Sequence, residues 1–115
     1  MQDRPFGLIY KWITEDYGSF SHWKKRFTEI ALSVRGWVVY TYDPIDSRTH
    51  IIGQDSHDMG SIWSSAPLLV LDVYEHAYMI DFGIDRKSYL EVFYQNINWE
   101  VVNERAAEAM ITLRK

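Results

Sequence analysis

The chain has 115 residues, 47% of them hydrophobic and 16% aromatic, which is too much apolar material for a disordered protein and enough for a small core. A formal charge of -4 without a basic stripe argues against nucleic acid and anionic membranes as partners. The absence of cysteine excludes disulfides, thiolate ligands and iron–sulfur clusters, so any metal must be bound by nitrogen and oxygen.

Two further expectations concern domain organisation and location. By the usual length prior, residues 1–115 form a single domain. No apolar run approaches the ~20 residues that a membrane helix needs. The opening MQDRPFGLIYKW also lacks the charged-then-apolar order of a signal peptide. We therefore expect a cytoplasmic protein.

The first predicted element is a helix in the segment GSFSHWKKRFTEIAL, with Ser19 or Ser21 as its N-cap. Apolar residues recur there at helical spacing, at Phe20, Trp23, Phe27, Ile30 and Ala31. The charged residues of the segment fall on the opposite side. The pattern predicts a helix with one aromatic face.

The middle of the chain predicts strands. After Gly36, the runs WVVYTY and RTHII flank the turn residues DPIDS, which indicates a β-hairpin. The segment GQDSHDMGS is a loop by its composition. APLLVLD predicts a short strand that ends on Asp72 and is covered on both faces.

Beyond Asp72 the sequence predicts a short helix, a turn at DFGIDR and two more helices, in RKSYLEVFYQ and in NWEVVNERAAEAMITLRK. Asn98 is the expected N-cap of the last helix. Strands in the middle with helices at both ends predict the α+β class. We expect a small antiparallel sheet of about three strands flanked by helices.

Asp72, Glu75 and His76 close the apolar strand and allow two interpretations. Asp72 and Glu75 have the spacing of a capping box, which accounts for both carboxylates without a function. Alternatively, a histidine near a helix N-terminus stays neutral and can bind a metal. One carboxylate and one imidazole suit iron, manganese or zinc, although two ligands seldom hold such an ion alone.

The other three histidines are weaker candidates. His22 is predicted on a helix and His50 in a strand, where exposed or core-edge positions are expected rather than metal ligation. His57 lies in the loop immediately before the strand that delivers Asp72, so it can come close to that residue. Loop histidines are also common on plain surfaces, and the sequence leaves both roles of His57 open.

The segment LDVYEHAYMIDFGIDRKSYLEVFYQNINWEVVNER resembles the C-terminal domain of the iron/manganese superoxide dismutases. The hallmark of that family is Asp-x-Trp-Glu-His-Ala-Tyr, followed by an Arg-containing turn and an Asn-Trp that opens the last helix. Upstream, DYGSFSHWKKRFTEIA is similar to the family's FGSF helix and RGWVVY to its glycine-tryptophan strand. The resemblance therefore covers nearly the whole chain.

The resemblance implies a metal site. Asp72 and His76 would be two of the four protein ligands of one iron or manganese ion, in a five-coordinate site completed by a solvent molecule. Glu75 would cross a dimer interface to hold the partner's ligand histidine, and Tyr78 would lie at the same interface.

The resemblance also implies residues around the metal-bound solvent. Trp37 would pack near the site. A Gln or His of the family bonds the solvent and tunes the metal; this residue is His57 when counted back from Asp72 without gaps, and Gln54 if the loop carries a shift. The sequence leaves the choice between them open.

Three departures from the family pattern stand out. Tyr74 replaces the tryptophan of the signature, and Val39 stands where many members have a second tryptophan. The N-terminal helical-hairpin domain, which supplies the other two histidine ligands in the family, has no counterpart in these residues. We therefore expect the chain to carry half of the usual site.

The expected function follows from the resemblance. Two superoxide ions and two protons would give oxygen and hydrogen peroxide, with iron or manganese carrying the electron. We expect the site to be completed by a separate chain that bears the helical hairpin, or by a homo-dimer or higher oligomer of this chain. The alternative is a non-catalytic interaction protein that keeps the fold.

Overall fold

The computed structural model describes residues 4–55, 65–74 and 85–113. Within these ranges the elements follow in the order α1 (Gly7–Tyr17), α2 (Phe20–Ser33), β1 (Trp37–Asp43), β2 (Arg48–Gln54), β3 (Ala66–Asp72), α3 (Arg86–Gln95) and α4 (Trp99–Leu113). The predicted α+β class and small antiparallel sheet are confirmed. The short helix expected after Asp72 lies outside the described residues.

The three strands form an antiparallel sheet in the order β2-β1-β3. The predicted hairpin is confirmed, and its register pairs Trp37 with Gln54 and Asp43 with Arg48. On the other side of β1, Trp37 pairs with Asp72. β1 is therefore the central strand, and it is buried from Val38 to Tyr42 because it has a neighbour along each edge.

One face of the sheet packs against the helices. The rings of Tyr40 and Tyr42 lie on this face and contact Trp23 of α2 and Trp12 of α1, with ring centroids 5.3 and 4.9 Å apart. Trp23 is fully buried and also contacts Trp99 of α4 at 5.8 Å. The aromatic face predicted for α2 is thus the centre of the core, where it joins helices to sheet.

The opposite face of the sheet carries Trp37, Val39 and Thr41 of β1, because side chains alternate along a strand. Val39 pairs with Ile52 on one side and Val70 on the other. Val70 remains 37% exposed. The expectation that β3 is covered on both faces is therefore wrong at this position.

Helix α1 was not predicted. Its N-cap, Phe6, has no side-chain acceptor, and Gly7 adopts a positive φ of 67°. The cap comes instead from Asn103 of α4, whose side chain accepts from the Ile9 amide at 2.9 Å and donates to the Phe6 carbonyl at 2.8 Å. The local sequence lacks a start signal because the capping group lies 94 residues away.

The predicted caps of the other helices are present. The Ser19 hydroxyl accepts from the His22 amide at 3.1 Å, which selects Ser19 over Ser21 as the N-cap of α2. The Asn98 side chain accepts from the Val101 amide at 3.2 Å at the start of α4, as predicted. Among the helices in the described ranges, none is long and apolar enough to cross a membrane.

Candidate metal centre

Three of the predicted site residues form one row across the sheet. Trp37 of β1 pairs with Gln54 of β2 and with Asp72 of β3. Directly opposed residues of neighbouring strands project to the same face, so an amide, an indole and a carboxylate share one end of the sheet face that is turned away from the helices. The outer strands are about 10 Å apart, with Trp37 between Gln54 and Asp72.

Asp72 is half-buried and is the last residue of β3. Its Oδ1 accepts a hydrogen bond from the Tyr74 amide at 2.9 Å. Its backbone carbonyl accepts from the hydroxyl of Tyr89 at 2.8 Å. The residue is therefore held both through its carboxylate and through its backbone.

Tyr74 lies beside this row. Its ring meets the Trp37 ring edge to face, with centroids 6.1 Å apart and an interplanar angle of 82°. Its hydroxyl donates a long hydrogen bond of 3.4 Å to the carbonyl of Asp55, the residue after Gln54. Burial, and then the carboxylates of Asp72 and Asp55, raise the pKa of Tyr74. The phenol therefore stays protonated at neutral pH. Tyr74 thus connects the end of β3 with the residue that follows β2.

Gly36 brings the ends of all three strands together. Its amide donates to the Gln54 carbonyl at 3.0 Å, and its carbonyl accepts from the Val73 amide at 2.8 Å. A Cβ at this position would lie 2.6 Å from the Gln54 carbonyl oxygen and 3.0 Å from the Tyr74 hydroxyl. Only glycine lets the chain pass this close to both neighbours.

Tyr89 is the residue that sequence reasoning missed at this site. It lies in α3, 17 positions after Asp72, and neither a cap pattern nor a strand period connects the two. Burial, and then the nearby Asp72 carboxylate, raise the pKa of Tyr89, which keeps its hydroxyl a hydrogen-bond donor. No local signal in the sequence could have identified this contact.

The remaining predicted residues are not placed. His57, Glu75, His76 and Tyr78 fall outside the described residues. The assignments of a ligand role to His76, of a solvent-contacting role to His57 and of an interface role to Glu75 and Tyr78 stay predictions. Of the two candidates for the residue near the solvent, Gln54 is the one that the structure describes, and it lies in the row with Asp72.

A second group of metal-type side chains lies at the other end of the sheet. Ligand atoms of Asp43, Asp46 and His50 approach one another within 4.8 Å. His50 is partly exposed, as predicted for a core-edge histidine, and its Nε2 lies 2.7 Å from Asp46 Oδ2. Asp43 and Asp46 also accept from the Ile45 and Arg48 amides, at 2.9 and 3.0 Å, as turn residues do. These turn hydrogen bonds explain the presence of both carboxylates without a metal ion.

The donors of the row fit a hard metal ion. Asp72 offers a carboxylate and Gln54 an amide, and the chain has no thiolate to direct the site toward softer metals. Oxygen donors combined with an imidazole suit iron(II) and manganese(II). His76, four positions after Asp72, is the nearest imidazole in the sequence.

Comparison with known proteins decides the family. The family model for iron/manganese superoxide dismutases, C-terminal domain, matches residues 5–105. The chain belongs to the iron/manganese superoxide dismutase family. The predicted resemblance is thereby confirmed, and the row at the end of the sheet lies inside the matched range.

Relatives of both metal types occur among the superoxide dismutases similar to this chain. Manganese superoxide dismutase 1 of Halobacterium salinarum is 36% identical over 107 residues, 93% of this chain and 54% of the relative. The iron superoxide dismutase of Aquifex aeolicus is 37% identical over 106 residues, 92% of this chain and 50% of the relative. The chain thus spans about half the length of the curated relatives it matches.

Proposed function

We propose that this protein provides the C-terminal half of an iron- or manganese-dependent superoxide dismutase site, with Asp72 and His76 as two of the metal ligands. The observation that carries the proposal is the cross-strand row of Gln54, Trp37 and Asp72, in a chain of the superoxide dismutase family. Relatives named for manganese and for iron both support such an ion, and we leave the choice between the two metals to experiment.

The remaining ligands come, in this proposal, from outside these positions. They are supplied by a helical hairpin of the kind expected in this family, on the same polypeptide or on a separate chain, or by other copies of this chain in a homo-oligomer. A two-fold interface would bring Glu75 and Tyr78 of one copy to the ligand of the other. Such assembly is common for metal sites because two ligands seldom hold a transition metal alone.

The residues of this chain would have distinct tasks. A bound iron or manganese ion would supply the one-electron redox chemistry that superoxide dismutation needs. The Asp72 carboxylate lowers the net charge of the site. The Gln54 side-chain amide, or alternatively the His57 imidazole, would form a hydrogen bond to the metal-bound solvent and so tune the metal. The rings of Trp37 and Tyr74 keep bulk water from this end of the sheet.

Metal analysis of matched variants tests the proposal. Iron, manganese and zinc are measured per chain in the wild type, Asp72→Ala and His76→Ala, with Asp46→Ala and His50→Ala as matched controls. The controls remove the same two side-chain types from the other end of the sheet. We expect iron or manganese in the wild type and in both controls, and its loss in the Asp72 and His76 variants, together with the loss of superoxide consumption.

The opposite pattern would locate the metal elsewhere. If His50→Ala loses the metal and His76→Ala keeps it, the hairpin group is the binding site and our proposal is wrong. Mass in solution then separates the modes of assembly. A self-assembled oligomer supports a site shared between copies, whereas assembly only in the presence of a helical-hairpin chain supports completion by a partner.

One observation favours the alternative of a non-catalytic interaction protein. The bond from the Tyr74 amide to Asp72 Oδ1 is what a helix cap or Asx turn would make, so it accounts for the carboxylate without a metal. Under this alternative, no version of the protein carries metal and His76→Ala leaves the thermal midpoint of unfolding unchanged. The same metal analysis therefore decides between the two functions.

A further inference from the structure

The backbone carbonyl of Asp72 is not used in the pairing of β3 with β1. Val73 donates its amide to the Gly36 carbonyl at 2.8 Å, which makes Trp37 and Asp72 a pair that exchanges no backbone hydrogen bonds. The Asp72 carbonyl therefore points away from β1. Among the strands that the structure describes, β3 lies at the edge of the sheet, so this carbonyl faces the side away from β1, where it accepts from the Tyr89 hydroxyl at 2.8 Å.

The helix that carries Tyr89 is itself held firmly. Arg86, one turn earlier in α3, donates from Nη1 to the carbonyls of Ala31 and Val34 at 2.9 and 2.7 Å, at the end of α2. Asp85 caps α3 by accepting from the Ser88 amide at 3.2 Å and the Ser88 hydroxyl at 2.6 Å. Hydrogen bonds from a charged guanidinium are about twice as strong as neutral ones. These hydrogen bonds fix the position of α3, and therefore the position from which Tyr89 contacts Asp72.

We propose that Tyr89 is a positioning residue for Asp72, holding the last residue of β3 so that its carboxylate keeps the orientation a metal ion requires. This inference rests on the proposed function. The Tyr74 amide restrains the carboxylate from one side and Tyr89 restrains the backbone from the other. Without the Tyr89 hydroxyl, the end of the edge strand has lost one of these two restraints, and the carboxylate samples a wider range of orientations.

The same helix provides a matched control. Tyr94 is one and a half turns further along α3, and its hydroxyl bonds Thr28 Oγ1 at 2.5 Å and the Lys24 carbonyl at 3.3 Å, both in α2. It is more deeply buried than Tyr89, and its hydroxyl joins α3 to α2 rather than to β3. A purely structural role predicts that Tyr94→Phe is at least as harmful as Tyr89→Phe. A positioning role predicts that Tyr89→Phe weakens metal binding and that Tyr94→Phe does not.

The test is a manganese(II) titration of the intact protein in its metal-binding assembly, followed by electron paramagnetic resonance. Tyr89→Phe should weaken manganese(II) binding about tenfold or more, as expected for loss of a group that supports a ligand, and should change the spectrum of the bound ion. Tyr94→Phe should lower the thermal midpoint without altering affinity or spectrum. Tyr89→4-aminophenylalanine, which keeps a donor at the ring's para position, should restore binding.

Each other result overturns the inference. Wild-type affinity and spectrum in Tyr89→Phe show that the hydroxyl does not position the ligand, while the proposed function stands. An equal loss of affinity in the two phenylalanine variants shows general loosening of α3. If Tyr89→Phe does not fold and 4-aminophenylalanine fails to restore binding in a folded protein, the donor is not what matters. Failure of the wild type to bind either manganese(II) or iron(II) overturns the proposed function and this inference together.

Discussion

Gly36→Ala tests how tightly the end of the sheet is constrained. The new methyl carbon would lie 2.6 Å from the Gln54 carbonyl oxygen, about 0.4 Å inside the 3.0 Å limit that Cβ contacts respect. That oxygen cannot retreat freely because it accepts the hydrogen bond of the Gly36 amide itself at 3.0 Å. Overpacking costs about 1–3 kcal/mol and a weakened backbone hydrogen bond about 1 kcal/mol. We expect the free energy of unfolding to fall by about 2–4 kcal/mol.

The assay is urea unfolding followed by tryptophan fluorescence, since the buried Trp23 and Trp99 report on the core. The midpoint should fall while the slope of free energy against urea stays the same, because the surface exposed on unfolding is unchanged. In a thermal melt the same loss corresponds to roughly 10 °C for a domain of this size.

A second substitution separates the backbone contact from the side-chain contact. Tyr74→Phe removes the hydroxyl that would lie 3.0 Å from the new methyl carbon and leaves the Gln54 carbonyl in place. The double variant should therefore recover little of the lost stability. Gly36→Ala with wild-type stability, or full recovery in the double variant, would refute the reasoning that backbone proximity requires the glycine.

Three further predictions concern how the helices are held. Asn103→Ala removes the acceptor of the Ile9 amide and should cost about 1–2 kcal/mol in urea unfolding; an unchanged midpoint would show that α1 does not need this cap. Arg86→Met loses two hydrogen bonds to the end of α2 and should cost about 3 kcal/mol, with a cost below about 1 kcal/mol counting against the reasoning. The Ser88 hydroxyl and amide lower the pKa of Asp85 below its unfolded value near 3.9, so the charge-dependent part of the stability advantage of wild type over Asp85→Ala should be constant above about pH 5 and be lost as the pH falls through the lowered pKa; an advantage that does not shrink at all on acidification would contradict this linkage.

Much of this protein could be predicted from local patterns. Helix α2 has Ser19 as its N-cap, one of the two candidates that the capping rule predicts, since cap and helix are neighbours in the chain. The hairpin of β1 and β2 follows from alternating β-branched and aromatic residues around turn residues. The family could also be predicted, because its signature around Asp72 is contiguous. Each of these features is encoded within a few residues of the place where it acts.

The row of site residues, the Tyr89 contact and the cap of α1 depend on the tertiary structure. Strand pairing aligned Gln54, Trp37 and Asp72 in one row, although Gln54 and Asp72 are far apart in the sequence. The position of α3 beside α2 brought the Tyr89 hydroxyl to the Asp72 carbonyl, and packing of α4 on α1 supplied a cap that the first helix lacks locally. The reason is that hydrogen-bond partners and packing neighbours are chosen by proximity in space, while periodicity and caps report only on neighbours along the chain.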